Sequence, residues 1–302
     1  MASIGYHEVY VNGRKVGDAV LAPCATNHKK RARYCTYDIT KHLQPGKNVL
    51  GLWLGTSWSI FPPYKSDDRP ASPLVLAQAE VELPGAIRLR IATDATWRTH
   101  ASPNALLGVW DFMHFGGELY DAQGELRNWW CCADLDDSDW KPAALFSPRL
   151  SLSAEMVEPN RIQQAIRPVA IEERPGGEYR VDMGVNFAGF VEIDLRGTPG
   201  KRIDFQFSER PDKAMTHELH SAYILGPSGK GTFRNRFNYS VGRWITIKGL
   251  GAKPAAADVR AHLVRTDYRK AGDFECSDKL LNDIYRTTLW TFENLSLGGY
   301  VV

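Results

Sequence analysis

The stretch RIDFQFSE, residues 202–209, alternates without a break. Ile203, Phe205 and Phe207 fall on one face of an extended chain, Asp204 and Gln206 on the other. Successive side chains of a strand point to opposite sides, so the pattern predicts a half-buried antiparallel strand. Five further runs of the same character surround it: EYRVDMG, GFVEIDLRG, TFRNRFNYS, RWITIKGL and VRAHLVRTD, parted by Gly, Pro or Asp. Strands this short and evenly spaced predict a sandwich rather than βαβ units.

Towards the N-terminus, residues 141–170 are rich in Pro, Ser and Ala and hold no sustained period, and residues 149–170 read as a linker. Another β block precedes them. Asn12-Gly13 splits two short apolar runs and accepts the positive φ angles of a tight hairpin. Pro45-Gly46 marks a turn before an apolar strand, and Pro84-Gly85 marks another hairpin. Trp97 and Trp140 each follow an Asp-rich approach and are expected to plug the ends of a sandwich. Beyond residue 270 the period changes. Ser277 and Asp278 offer N-cap chemistry, and Leu280, Leu281, Ile284, Tyr285, Thr288, Leu289 and Phe292 recur at three and four residues, predicting one amphipathic helix over 277–292. The expected fold is therefore mainly β: two consecutive antiparallel β-sandwiches, residues 1–148 and 171–270, then a single C-terminal helix within 271–302.

Composition removes several classes of function. The 302-residue chain has a formal charge of +2 with acids and bases interleaved, so neither nucleic acid nor an anionic membrane is expected as a partner. No run approaches the roughly 18 apolar residues that span a bilayer. The N-terminus, MASIGYHEVYVNG, shows no basic segment followed by an apolar run; cytoplasmic is the default, with a periplasmic or secreted parent left open. The five cysteines lack C-x-x-C spacing, which favours reduced thiols over a Cys24–Cys35 bridge.

Several segments, in order along nearly the whole chain, resemble the bacterial α-L-rhamnosidases. GYHEVYVNGRKVGDAVLAP, YCTYDIT, GKNVLGLWLGTSWS, GGELYDAQ and DLDDSDWKPA are similar to that family's N-terminal jelly roll. YRVDMGVNFAGFVEIDLRGTPGKRIDFQFSE and RFNYSVGRWITIKGL resemble its second β-sandwich, and GDFECSDKLLNDIYRTTLWTFENLSLGGYVV resembles the approach to its (α/α)6 barrel. The chain departs from the family at Gly55-Thr56-Ser57-Trp58-Ser59, where Gly-Asn-Gly-Trp-Tyr is common. The resemblance implies an inverting glycosidase that removes terminal rhamnose from glycosides or polysaccharides. It also implies that the catalytic acids lie beyond Val302, so that residues 271–302 are the first helix of a missing barrel and the chain alone is inactive. Rhamnose-binding jelly rolls of the family use calcium, but no clear ligand set aligns here, and no cofactor or metal is expected.

Glycoside hydrolysis needs two carboxyl groups flanking the scissile bond. Glu118, Asp121, Asp182 and Glu209 are the candidates, and each has a structural reading that is preferred. Glu118 and Asp121 can hold a turn beside Gly116-Gly117 or accept backbone N–H bonds, Asp182 fits an Asx-type loop before Gly184, and Glu209 sits beside Arg210 as a surface pair. No catalytic residue is therefore assigned. Sugar binding calls for an aromatic face flanked by acids or amides. The first block offers Trp58, Phe61, Tyr64, Trp110, Phe112, Tyr120, Trp129 and Trp130, with Asn27, Asp67, Asp68, Asp111, Glu118 and Asp121 nearby. From these, Trp110, Glu118 and Asp121 are nominated as carbohydrate-binding, against the reading that the tryptophans plug the sandwich. His217 and His220 stand three apart in a loop, unlike the four-residue helical spacing of a zinc protease, and GPSGKGTF lacks P-loop spacing. Asn238 and Asn294 begin glycosylation sequons.

Three functions follow. The first is the non-catalytic front of a rhamnosidase-type glycosidase. The second is a stand-alone carbohydrate-binding protein, and the third is a structural module. The partner expected in the first two is a rhamnosyl glycoside or polysaccharide. An uncovered helix would add self-association through its apolar side.

Overall fold

The computed structural model describes residues 1–62, 73–126 and 130–301, with backbone only at 300 and 301. Strands dominate, and one α-helix, Lys279–Leu295, lies near the C-terminus among the described residues. The strand Arg202–Ser208 bears out its alternation: Ile203, Phe205 and Phe207 are at most 1% exposed.

This strand belongs to the largest sheet, whose path runs Asn104–Leu107, Gly117–Asp121, His220–Ile224, Arg202–Ser208, Ser240–Lys248, Glu178–Arg196, Val259–Thr266, Asn160–Ile166. EYRVDMG and GFVEIDLRG form one continuous strand, Glu178–Arg196. Its register against Ser240–Lys248 slips between Asp182 and Phe187. The first part of that strand also pairs with Ala170–Arg174, and the last part with Val259–Thr266 and Lys230–Arg234. A register slip bends and twists a strand. The sheet can thus close one buried layer that gathers Val181, Ile203, Phe205 and Ile247 with Val191, Ile193, Phe233 and Val259. Phe205 and Phe233 stack with ring centres 4.6 Å apart.

Strands of the N-terminal block lie in smaller sheets. One has the order Ser151–Ala154, Arg31–Tyr34, Ala2–Ile4, Leu74–Leu76; another has Arg14–Lys15, Tyr6–Val11, Leu50–Gly55. Asn12 and Gly13 take φ angles of 50° and 77°, the left-handed pair that a two-residue hairpin needs. Residues 149–170 hold the strands Ser151–Ala154 and Asn160–Ile166. The block also feeds the large sheet. Gly117–Asp121 runs parallel to His220–Ile224, and at Gly117 any Cβ would collide with the His220 carbonyl. A shared apolar cluster unites Tyr6, Tyr10 and Trp53 with Phe190, Phe237 and Val264.

The helix starts where Asp278 accepts hydrogen bonds from the Leu280 and Leu281 amides, at 2.8 and 3.4 Å, and runs three residues past its expected end. Its inner side is tied to the long strand: Trp290 Nε1 donates to the Asn186 carbonyl at 2.8 Å, and the Ala188 amide donates to Asn294 Oδ1 at 2.6 Å. Leu280, Leu281 and Ile284 face outward, and Leu289 is half-buried. After the helix, Ser296–Leu297 pairs with Tyr300–Val301 across Gly298-Gly299. Both glycines have positive φ, and a Cβ on either would press on Cys24 or Val157. Their amides donate to Asn160 Oδ1 and Thr266 Oγ1 at 2.8 and 2.9 Å, which docks the turn on the large sheet. Cys24 and Cys35 are separate thiols.

Candidate functional site

The nominated residues lie along one chain segment and do different work. Trp110 is only 8% exposed and sits at φ +58°, with its indole N–H donating to the Leu107 carbonyl at 2.7 Å. Its ring is held within the fold. Asp121 ends the strand Gly117–Asp121 and accepts a hydrogen bond from the Gln123 amide at 3.0 Å, capping a short turn. Glu118 and Asp121 are three residues apart on the strand, so their side chains leave opposite faces. Tyr64, Asp67, Asp68 and Trp129 lie outside the described residues.

Glu118 is 1% exposed. Its carboxylate accepts from two successive amides, Arg236 at 2.8 Å and Phe237. Burial pushes this carboxyl up to about 7, against the pull of those two amides and the Arg236 charge. Arg236 then reaches the N-terminal block. Its guanidinium donates to Glu8 Oε2 at 2.5 Å and Tyr10 Oη at 3.1 Å, and lies 4.0 Å from the centre of the Trp53 ring. Lys15 completes the cluster with a 2.7 Å bond to Glu8 Oε1. Burial would raise the Glu8 carboxyl, but the charges of Arg236 and Lys15 outweigh it and hold the group below its ordinary value. This knot joins strands of both sequence blocks through one loop.

Of the other carboxylates weighed for catalysis, Asp182 is engaged by its neighbours. Asp182 accepts from Gly184 N at 2.7 Å and takes both arms of Arg243 at 2.6 and 2.8 Å, which keeps its carboxyl low. Arg210 pairs with Asp212 rather than with Glu209, while the Glu209 amide donates to Thr216. Among the described residues no group of three or more His, Cys, Asp or Glu could hold a metal ion. No helix among them is long and apolar enough to cross a membrane. Asn238 is 3% exposed with its Oδ1 accepting from Asn235 Nδ2, and Asn294 Nδ2 donates to the Trp290 carbonyl at 2.7 Å.

Phe112 and Asp111 were among the sugar-binding candidates of the first block, but the turn between Gly108 and Gly116 that presents them was not foreseen. Phe112 and Val109 stand 72% and 70% exposed on it, although Trp110 between them is buried. Alternation of type does not forecast this, because the turn depends on positive φ at Trp110 and Met113.

Comparison with known proteins places these features in context. Residues 1–164 match the model of the alpha-L-rhamnosidase N-terminal domain, and residues 172–265 match that of the bacterial alpha-L-rhamnosidase concanavalin-like domain. An alpha-L-rhamnosidase of Formosa agariphila is 30% identical over 96% of this chain, which covers 32% of that protein. The solved alpha-L-rhamnosidase from Dictyoglumus thermophilum superposes with a TM-score of 0.87 at 30% identity, covering 98% of this chain and 33% of that one. The Streptomyces avermitilis alpha-L-rhamnosidase, solved in complex with L-rhamnose, gives a TM-score of 0.86 at 25% identity, covering 98% and 29%. The chain thus spans about a third of the length of the relatives it matches.

Proposed function

The chain belongs to the bacterial alpha-L-rhamnosidase family, and from that premise we propose that it forms the non-catalytic β-sandwich portion of a glycoside hydrolase that releases terminal α-L-rhamnose with inversion. The observation that carries the non-catalytic part is the fate of the carboxylates. Glu118 is locked under two backbone amides, Asp121 caps a turn and Asp182 is bound bidentately by Arg243. An inverting pair needs one protonated acid and one base on opposite sides of the sugar, about 6.5–9.5 Å apart with room for a water. None of these three side chains is available for that work. The portion supplies a scaffold, with residues 1–148 and 171–270 as its two sandwiches and a rhamnosyl glycoside or polysaccharide as the ligand class of the whole protein.

Assay of this chain against nitrophenyl α-L-rhamnoside is the direct test. Nitrophenol release at the buffer rate is expected, and enzyme-dependent turnover would overturn the assignment. Self-association through Leu280, Leu281 and Ile284 belongs to the same proposal, because these side chains are 49–66% exposed on one helix. Sedimentation velocity should show a mass that rises with concentration; a monomer throughout removes that part.

A further inference from the structure

The exposed loop 108–116 is built as a rigid finger. Asp111 and His114 exchange backbone hydrogen bonds at 3.1 and 3.0 Å, which leaves Phe112 and Met113 as a two-residue tip. Trp110 anchors the near side from within, and the Phe115 amide anchors the far side on the His217 carbonyl at 3.1 Å. The Phe115 ring stacks on Phe61 at 6.1 Å and meets His217 edge-on at 6.3 Å. Across the base, His114 Nδ1 lies 2.9 Å from Glu218 Oε1.

Four non-glycine residues with positive φ gather here: Trp110, Met113, His217 and Glu218, at 58°, 65°, 48° and 58°. Such backbone is disfavoured for L side chains and persists only where surrounding contacts over-determine it, a condition met most often at functional sites. The result is an aromatic face held out in water by a fixed loop: Phe112 is 72% exposed, although a phenyl ring ordinarily seeks burial. Around it stand groups that donate or accept hydrogen bonds, with the side chains of His114 and Glu218 58% and 47% exposed.

An apolar tip on a loop that also carries Asp111 and His114, with Glu218 paired at its base, suits a ligand whose one face is C–H and whose edge is hydroxyl. We propose that this finger is a saccharide-contact site, with Phe112 stacking on the sugar ring and Asp111, His114 and Glu218 binding its hydroxyls. The site does not use the buried Glu118 carboxylate, and it invokes no metal. It rests on the carbohydrate reading above, but it specifies where on this chain the sugar is met. Preorganisation is what the strained backbone contributes, since the ligand need not order the loop.

The test is a titration of the isotope-labelled chain with L-rhamnose, followed by amide chemical shifts. Shift changes are expected at residues 109–115 and 217–220. Apparent affinity should fall at least about fivefold in Phe112→Ala and about twofold in Glu218→Gln. Phe112 is exposed, so its variant should melt with the parent; the milder Glu218→Gln gives a second reading if it does not. Shifts confined to other residues would overturn the finger and leave the carbohydrate reading standing. Absence of shifts anywhere would bring both down. Concentration-dependent association that disappears in Phe112→Ala would also overturn the proposal, marking the finger as a protein contact.

Discussion

The centre of the large sheet and the junction beside it are both largely buried, yet they are made of opposite materials. In the first, Phe205, Phe233, Ile193 and Ile247 meet at 0–1% exposure with no polar side chain among them. In the second, Glu8, Glu118 and Arg236 crowd against Trp53, and each charge is answered by a partner. An apolar layer asks only for shape, and its loss scales with the cavity left behind. A buried charge cluster is stable only while complete, because one missing partner strands the other.

The largest effect belongs to the apolar side. Phe205→Ala should destabilise the protein by about 3–5 kcal/mol, read as a fall in the denaturant midpoint at constant slope. A loss under about 1 kcal/mol would mean that the layer can collapse onto the cavity, which its close packing argues against. The polar side comes next. Arg236→Ala leaves Glu8 with Lys15 as its ionic partner beside the Tyr10 hydroxyl and should cost about 3 kcal/mol, at the low end for a buried pair because the Arg236 side chain is 28% exposed. Glu8→Gln in the Arg236→Ala background should recover part of that loss. No recovery would show that Arg236 acts through its packing on Trp53 and not through charge.

Glu118 sharpens the comparison further, because its two opposing influences differ in sign. With its folded value near 7 and an unfolded value of about 4.3, the folded state binds the proton more tightly. Its contribution is therefore greatest below pH 4.3 and is lost as pH rises towards 7, by up to about 3 kcal/mol. Glu118→Gln should flatten the stability profile across that window. The substitution should also cost about 1–3 kcal/mol at pH 5, since an amide oxygen cannot serve both amides without turning its NH2 towards one of them. Melting curves at pH 5, 6 and 7 separate the two effects, and an unchanged slope would mean that the amides keep the group ionised.

The apolar layer was readable in the chain because alternation of type is local: residues 203, 205 and 207 announce a face without reference to any partner. Helix capping by Asp278 and the left-handed turn at Asn12-Gly13 were readable for the same reason. The junction was not, since Glu8 and Arg236 are 228 residues apart and each looks like an ordinary surface charge in its own segment. Nor was the union of EYRVDMG and GFVEIDLRG into one bent strand, whose register slip is set by the neighbouring strand. Among the nominated residues, Glu118 as an acceptor of backbone N–H bonds was legible, but not its strand position or that the amides belong to Arg236 and Phe237 in a distant loop. Phe112 was among the aromatic candidates but could not be singled out, because its exposure depends on the positive-φ turn at Trp110 and Met113.

Asp182 offers the smallest effect and the finest discrimination. It sits at the register slip, where it satisfies Gly184 N and pairs with Arg243. Asp182→Asn keeps an oxygen for the amide and removes only the charge. Its side chain is 23% exposed and that of Arg243 36%, so solvent and salt screen the pair. The expected cost is about 0.5–1 kcal/mol at low salt, shrinking as ionic strength rises. The lowered carboxyl value makes this stabilisation complete above the unfolded value near 3.9 and lost as pH falls through the folded one. A cost near that of Arg236→Ala, insensitive to salt, would show that the slip depends on a desolvated ion pair. The contrast between an apolar layer and a charged junction would then have to include a second buried charge inside the sheet itself.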